Sequence, residues 1–242
     1  MNVHFIIHEA FEAPGAYELW AKSRQHTIGY SRVYLGDKLP NSAQDIDLLI
    51  VMGGPQDPNV TIAQCPHFDS MAEQRIICSA IEQQKSVIGV CLGAQLVGEA
   101  LGAPFSSSPH PEIGKFPISL TTAGKNHAFF SHFGDSLEVG HWHNDMPGLT
   151  PDSAIIAVSE GCPRQIVAYS DLVYGFQCHM EFTPEVIELL IGDAGADLHA
   201  TQDRAFIDSI STLRAQNYQE MNEKLFIYLD KLADHYQLTR SR

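Results

Sequence analysis

Short apolar runs alternate with amphipathic stretches along most of the chain. Residues 3–8 (VHFIIH) predict a first strand. Pro14 suits the first turn of a helix running to about Gly29, with Tyr17, Leu19 and Trp20 on its apolar side. Residues 47–52 (DLLIVM) form a nearly unbroken apolar run, as expected of a strand buried on both faces, and stop at Gly53-Gly54-Pro55. Residues 68–83 predict a helix whose inner face carries Met71, Ile76, Ile77 and Ile81. A second buried strand, 86–90, passes through a turn directly into a helix over 94–101.

From 105 to 170 the pattern is rich in strands and loops, with short strands at 155–159 and 165–169, and another follows at 174–178. Beyond Pro184 it is helical three times, over 184–191, 202–215 and 218–235. No repeat, low-complexity tract or linker divides the chain. The alternation predicts one α/β domain over 1–242, a doubly wound open sheet with a core of about 1–192 and a helical tail of about 193–242. The apolar faces of the tail (Phe206, Ile207, Ile210, Leu213; Leu225, Phe226, Leu229, Leu232) fit core packing first, with a dimer or partner interface as the alternative.

Composition narrows the function classes. Hydrophobic residues make up 44% of the 242, enough for a packed core, which excludes intrinsic disorder. Fifteen Lys and Arg face 29 Asp and Glu, giving a charge of −14 with no basic run to offset it. A nucleic-acid binder is therefore not expected, nor is a membrane-surface protein. No apolar run approaches the ~20 residues of a membrane span, and no basic leader precedes the first strand. Five cysteines at irregular spacing without a CxxC pair fit reduced thiols in a cytoplasm. Twelve histidines are scattered, with one HxH at His141 and His143 and no HExxH, so no metal is expected.

Three segments carry chemistry. In Gly89-Val90-Cys91-Leu92-Gly93 a buried strand turns sharply into a helix. Small flanking residues permit a strained elbow that presents a thiol, and the helix N-terminus favours thiolate. Taken alone, the cysteine could equally be a small buried hydrophobe. In Gly175-Phe-Gln-Cys-His179-Met-Glu181, strand alternation puts His179 and Glu181 on one side as a base and its orienting carboxylate, and Cys178 on the other, in the core. A solvated pair would look the same. Gly53 and Gly54 end a strand where backbone N–H groups can face a ligand, as half of an oxyanion hole or as an ordinary turn. No Lys-Ser/Thr follows them, so a phosphate loop is excluded, and no cofactor is expected. All three segments fall at C-terminal strand ends, where open α/β sheets place their sites.

Gly-Gly-Pro, then Gly-x-Cys-x-Gly-x-Gln, then Gly-x-Gln-x-His-x-Glu, in that order, resembles the class I (triad) glutamine amidotransferases, most of all the amidotransferase domain of GMP synthase and its free-standing relatives. The likeness covers roughly 190 residues and leaves the tail outside. It implies a flavodoxin-like fold and hydrolysis of the glutamine side-chain amide through a thioester. By position it implies Cys91 as nucleophile, His179 as general base and acid, and Glu181 as orienter. The N–H groups of Gly54 and Leu92 would form the oxyanion hole beside Gly53, with Gln95 lining the glutamine pocket. The family's Ser-His-Gly-Asp substrate stretch is similar to Trp142-His143-Asn144-Asp145. Met180 replaces the family's Pro between His and Glu. Asn144 replaces a Gly, and since Asn tolerates left-handed angles the turn there is expected to persist.

Amidotransferases of this kind pass ammonia to a synthase site, and this chain has no room for one. The expectation is a small-molecule substrate, glutamine or a γ-glutamyl compound, with a separate synthase subunit or a second copy of the chain as candidate partners. A free-standing γ-glutamyl amide or peptide hydrolase is the alternative, and a non-catalytic binding or regulatory module is a third reading.

Overall fold

The computed structural model describes residues 1–201 and 205–240. Nine strands form one mixed sheet: β1 (Asn2–Ile7), β2 (Thr27–Arg32), β3 (Leu48–Val51), β4 (Ser86–Val90), β5 (Ser106–Leu120), β6 (Ser136–Met146), β7 (Ala154–Val158), β8 (Ile166–Ser170) and β9 (Val173–Phe176). Their order across the sheet is β2-β1-β3-β4-β9-β8-β7-β5-β6. The first five are parallel, and from β9 onward each neighbour runs antiparallel. Helices α1 (Gly15–Ser23), α2 (Ser70–Glu82), α3 (Leu92–Ala100), α4 (Thr122–Asn126), α5 (Pro184–Thr201), α6 (Ile210–Ala215) and α7 (Gln219–Arg240) complete the fold.

The parallel strands are buried along their length, as their unbroken apolar runs require. Every residue of β3, β4 and β9 is buried. Two apolar clusters result, one on each side of the sheet. The larger contains Trp20, Tyr174, Phe176, Phe182, Leu225 and Leu229. The smaller contains Leu49, Val51, Ile77, Val87, Leu96 and Val97. No helix among the described residues is long and apolar enough to cross a membrane.

Three local expectations are corrected. The helix opened by Pro14 stops at Ser23, because Gln25 takes a left-handed turn (φ 56°) and 27–32 becomes edge strand β2. That strand is mostly polar and half-exposed, and it exists by pairing in parallel with β1, which local pattern does not reveal. Leu19 and Met71 are 51% and 60% exposed, off the inner faces assigned to them. In α2 the Asp69 side chain caps the Ala72 N–H, and the buried stripe runs through Glu73, Ile76, Ile77 and Ala80. In the tail, α5 extends past 191 to Thr201, whereas the helix expected over 202–215 is described only as α6 from Ile210. Its start at Gln202 lies outside the described residues. Ile207 instead forms an isolated bridge to Ile113 of β5.

Helix α7 is stitched to the body of the sheet. Trp20 Nε1 of α1 donates to Asp230 at 2.8 Å, and Tyr228 stacks on Phe130 at 4.8 Å. Leu225, Leu229 and Leu232 are at most 1% exposed. Leu225→Ala is therefore expected to cost about 2–5 kcal/mol of stability by urea denaturation, the range for opening a cavity in a core. A helix that served only as a docking surface would lose less than about 0.5 kcal/mol.

Candidate active site

Cys91 sits between β4 and α3 with φ 52° and ψ −110°, one of three non-glycine residues with positive φ among those described. Such a conformation costs on the order of 1–3 kcal/mol and persists only where the surroundings enforce it. Here they do. The Cys91 N–H donates to Phe176 O of β9 at 2.7 Å, and the Gly93 N–H donates to Met52 O at 3.2 Å. A Cβ on Gly93 would lie 1.9 Å from Val51 O, so only glycine lets α3 start this close to β3. The elbow leaves the thiol at the wall of a pocket of about 490 Å³.

His179 and Glu181 lie past the end of β9, on a segment held by a two-way backbone bridge between His179 and Gly140 of β6. The bridge preserves strand-like alternation, so His179 Nδ1 meets Glu181 Oε1 at 2.6 Å, both residues at most 1% exposed. The imidazole stacks on Phe182 with 4.5 Å between centroids. Burial by itself would lower the His179 pKa. The Glu181 carboxylate and the adjacent Cys91 thiol outweigh it and hold the pKa well above its ordinary value. His179 Nε2 nevertheless makes no fully formed hydrogen bond, and the thiol points toward Trp142 O at 3.7 Å. Cys178 turns the other way, into the core, as alternation predicts.

Gly54, Gln95, His143, Asn144 and Asp145 line the same pocket as Cys91, together with Trp142. Neither the Gly54 nor the Leu92 N–H has a hydrogen-bond acceptor among the described residues, so both remain available to a ligand. Leu92 is buried against Gly54. Gln95 Nε2 donates to Gln177 at 3.3 Å, while its buried Oε1 has no partner. The 142–145 stretch corrects an expectation: it is the continuation of β6, and Asn144 has no left-handed turn. His143 is 5% exposed, and its Nε2 belongs to a network beneath the pocket. Nε2 is 3.3 Å from Glu112, which also accepts from Gln165 at 2.6 Å and Ser159 at 2.8 Å. Burial pushes His141, the neighbouring ring, down to about 3, so it is neutral and donates through Nε2 to Phe116 O.

Three residues that the sequence patterns did not single out shape the site. His8, at the end of β1, bridges Gly53 O and Glu73 of α2, each at 2.8 Å. Burial acts to lower its pKa, and the Glu73 carboxylate overcomes that and raises it. With both ring nitrogens donating, the imidazolium fixes the Gly53 peptide and hence the aim of the Gly54 N–H. Glu12 also lines the pocket, 6% exposed, with no side-chain hydrogen bond or ion pair among the described residues. A Cβ built on Gly53 would meet its Oε2 at 2.5 Å and Cys91 Cβ at 3.4 Å, so carboxylate and thiol flank the same glycine. Burial pushes its pKa up to about 7. Asn222 of α7 donates to Met180 O at 2.8 Å and Phe182 O at 3.2 Å, clamping the His179–Glu181 segment from behind. The strand-end position of His8 was a usable signal; Glu12 and Asn222 gave none, since both act across long sequence separations.

Comparison with known proteins follows this geometry. Residues 18–190 match the family model for glutamine amidotransferase class-I. A glutamine amidotransferase-like protein of Salmonella typhimurium, YfeJ, is 56% identical, with 96% of this chain and 98% of that one covered. Anthranilate synthase component 2 of Helicobacter pylori is 31% identical over 69% of this chain and 88% of its own. The crystal structure of SMU.1228c superposes with a TM-score of 0.95 at 46% identity, covering 96% of this chain and all of that one.

The His8–Glu73 pair yields a pH prediction. A histidine whose folded pKa is raised contributes stability that is complete below its unfolded pKa of about 6.5 and disappears as pH rises through the folded value. The stability difference between the wild-type protein and His8→Gln should therefore be larger at pH 6 than at pH 9 in urea denaturation. An equal difference at both would mean that folding leaves the His8 pKa where it is in the unfolded chain.

Proposed function

Since this chain belongs to the class I glutamine amidotransferase family, we propose that it hydrolyses the side-chain amide of glutamine through a thioester on Cys91, releasing ammonia. One observation carries the reading: a thiol held in a left-handed elbow at a pocket wall, with a buried His179–Glu181 pair behind it.

The proton on Cys91 passes to His179, and the thiolate attacks the amide carbonyl. Glu181 keeps the imidazole in one tautomer and stabilises its protonated form, consistent with the raised His179 pKa. Charge developing on the carbonyl oxygen falls on the Gly54 and Leu92 N–H groups; loss of one such donor typically costs about 10²–10³ in rate. His179 then protonates the departing ammonia and activates the water that cleaves the thioester. The unpaired Oε1 of Gln95 supports this reading, as an acceptor for the substrate amide N–H. Glu12, which lines the pocket with Asn144 and Asp145, offers a carboxylate to the substrate's amino group.

The pocket volume of about 490 Å³ supports a second reading, hydrolysis of larger γ-glutamyl amides or peptides by the same residues. In the amidotransferase reading the ammonia goes to a separate synthase subunit, a proposal that the similarity to an anthranilate synthase component supports. A cytoplasmic location belongs to the same proposal.

Cys91→Ala should abolish ammonia release from glutamine and covalent trapping by a glutamine-like electrophile, while the circular dichroism spectrum is retained. Full activity in that variant would overturn the assignment. Measuring amine release from a γ-glutamyl amide beside ammonia release from glutamine separates the two readings.

A further inference from the structure

A second thiol–imidazole–carboxylate cluster stands outside the machinery just described, joined to the pocket through Gln56. Glu9 follows β1, while Cys65 and His67 lie in the connection between β3 and α2. The fold brings them together: His67 Nε2 is 2.8 Å from Glu9 Oε1 and 3.4 Å from Cys65 Sγ. One donor atom from each of the three lies within 4.8 Å of the others. All three residues are half-buried, the His67 side chain at 31% and that of Glu9 at 19% exposed, so an ion can reach them from solvent.

The donor set is selective. A thiolate with an imidazole and a carboxylate suits a borderline-soft divalent ion and discriminates against magnesium or calcium, which take oxygen ligands. Tetrahedral bonds of ~2.3 Å to sulfur and ~2.0–2.1 Å to nitrogen or oxygen imply ligand–ligand distances of roughly 3.3–3.6 Å. The Cys65–His67 separation already fits. The His67–Glu9 separation is shorter because a proton bridges it, and a half-ångström opening of two surface side chains accommodates a metal. Gln56 donates through Nε2 to Glu9 at 2.7 Å and to Cys65 at 3.5 Å, which steadies both ligands, and the same side chain lines the pocket.

The buried trio Glu112, His141 and His143 also brings three donors together. There, however, neither His141 nor Glu112 is open to solvent, so an ion has no path to the donors.

We propose that Glu9, Cys65 and His67 form a binding site for a zinc-class divalent ion, with the fourth position open to water. On binding, Cys65 gives up its thiol proton, the metal–sulfur bond forms, and the His67 proton moves from Nε2 to Nδ1, so one proton leaves per ion bound.

The test uses the full-length Cys91→Ser protein, which removes the competing thiol, titrated with Co²⁺ and then Zn²⁺. One equivalent of Co²⁺ should bind with a thiolate-to-cobalt charge-transfer band, and Zn²⁺ should displace it. Adding Cys65→Ser should abolish the band. Adding His67→Ala instead should weaken binding by more than the ~10- to 100-fold typical of losing an outer-shell partner, with circular dichroism reporting that each variant is folded. Absence of the band in Cys91→Ser, or its persistence after Cys65→Ser, overturns the proposal. Calorimetry in buffers of different ionisation enthalpy should give one proton released per ion, and zero would also overturn it. None of these readouts depends on turnover of glutamine.

Discussion

The rest of the site depends on the backbone kink at Cys91. A residue with a side chain is held at φ 52° because β9 accepts its N–H, Met52 just past β3 accepts the N–H of Gly93, and no Cβ intervenes between Gly93 and Val51. The sheet thus supplies three strands' worth of constraint to one residue. The strain is sustained by the most buried part of the molecule, where every residue of β3, β4 and β9 is excluded from solvent. Loosening any of these contacts would let the elbow relax toward an ordinary strand–helix turn and withdraw the thiol from the pocket wall.

Around this elbow the protein buries His8, Glu12, Glu73, His179 and Glu181. His179 with Glu181 and His8 with Glu73 are both buried imidazole–carboxylate pairs, and each answers the desolvation cost with a hydrogen bond of 2.8 Å or less. Glu12 has no such partner, and its pKa rises to about 7 as a consequence of burial. Paired groups stay charged and fix geometry; the unpaired one stays responsive to whatever enters the pocket. The His8 pair acts on the Gly53 peptide and the His179 pair faces the thiol, so the two sides of the elbow are held by separate electrostatic locks.

The C-terminal helices belong to this arrangement. Asn222 clamps the backbone on either side of Glu181, Trp20 and Arg24 of the α1 region bond to Asp230, and Ala16 N donates to Glu181 O. Helices from the two ends of the described chain therefore converge behind the His179–Glu181 segment, which itself lies beyond the end of β9. Met180, where the resembled family has proline, is fully buried and its carbonyl is one of the groups Asn222 holds.

The sequence by itself determined the strand–elbow–helix at Cys91, the buried parallel strands, and the His179–Glu181 pair. Each is set by neighbours within a few residues: apolar runs, small residues at fixed offsets, and alternation along an extended chain. It could not determine β2, whose polar pattern needs β1 as a template, nor the exposure of Leu19 and Met71, which follows from how their helices are rotated onto the sheet. His8 with Glu73, Glu12 against Gly53, Asn222 behind Glu181, and Glu9 with Cys65 and His67 are likewise products of the tertiary fold. Their partners are separated by about 40 residues or more along the chain, and no local periodicity encodes a contact that exists only after the sheet has been assembled.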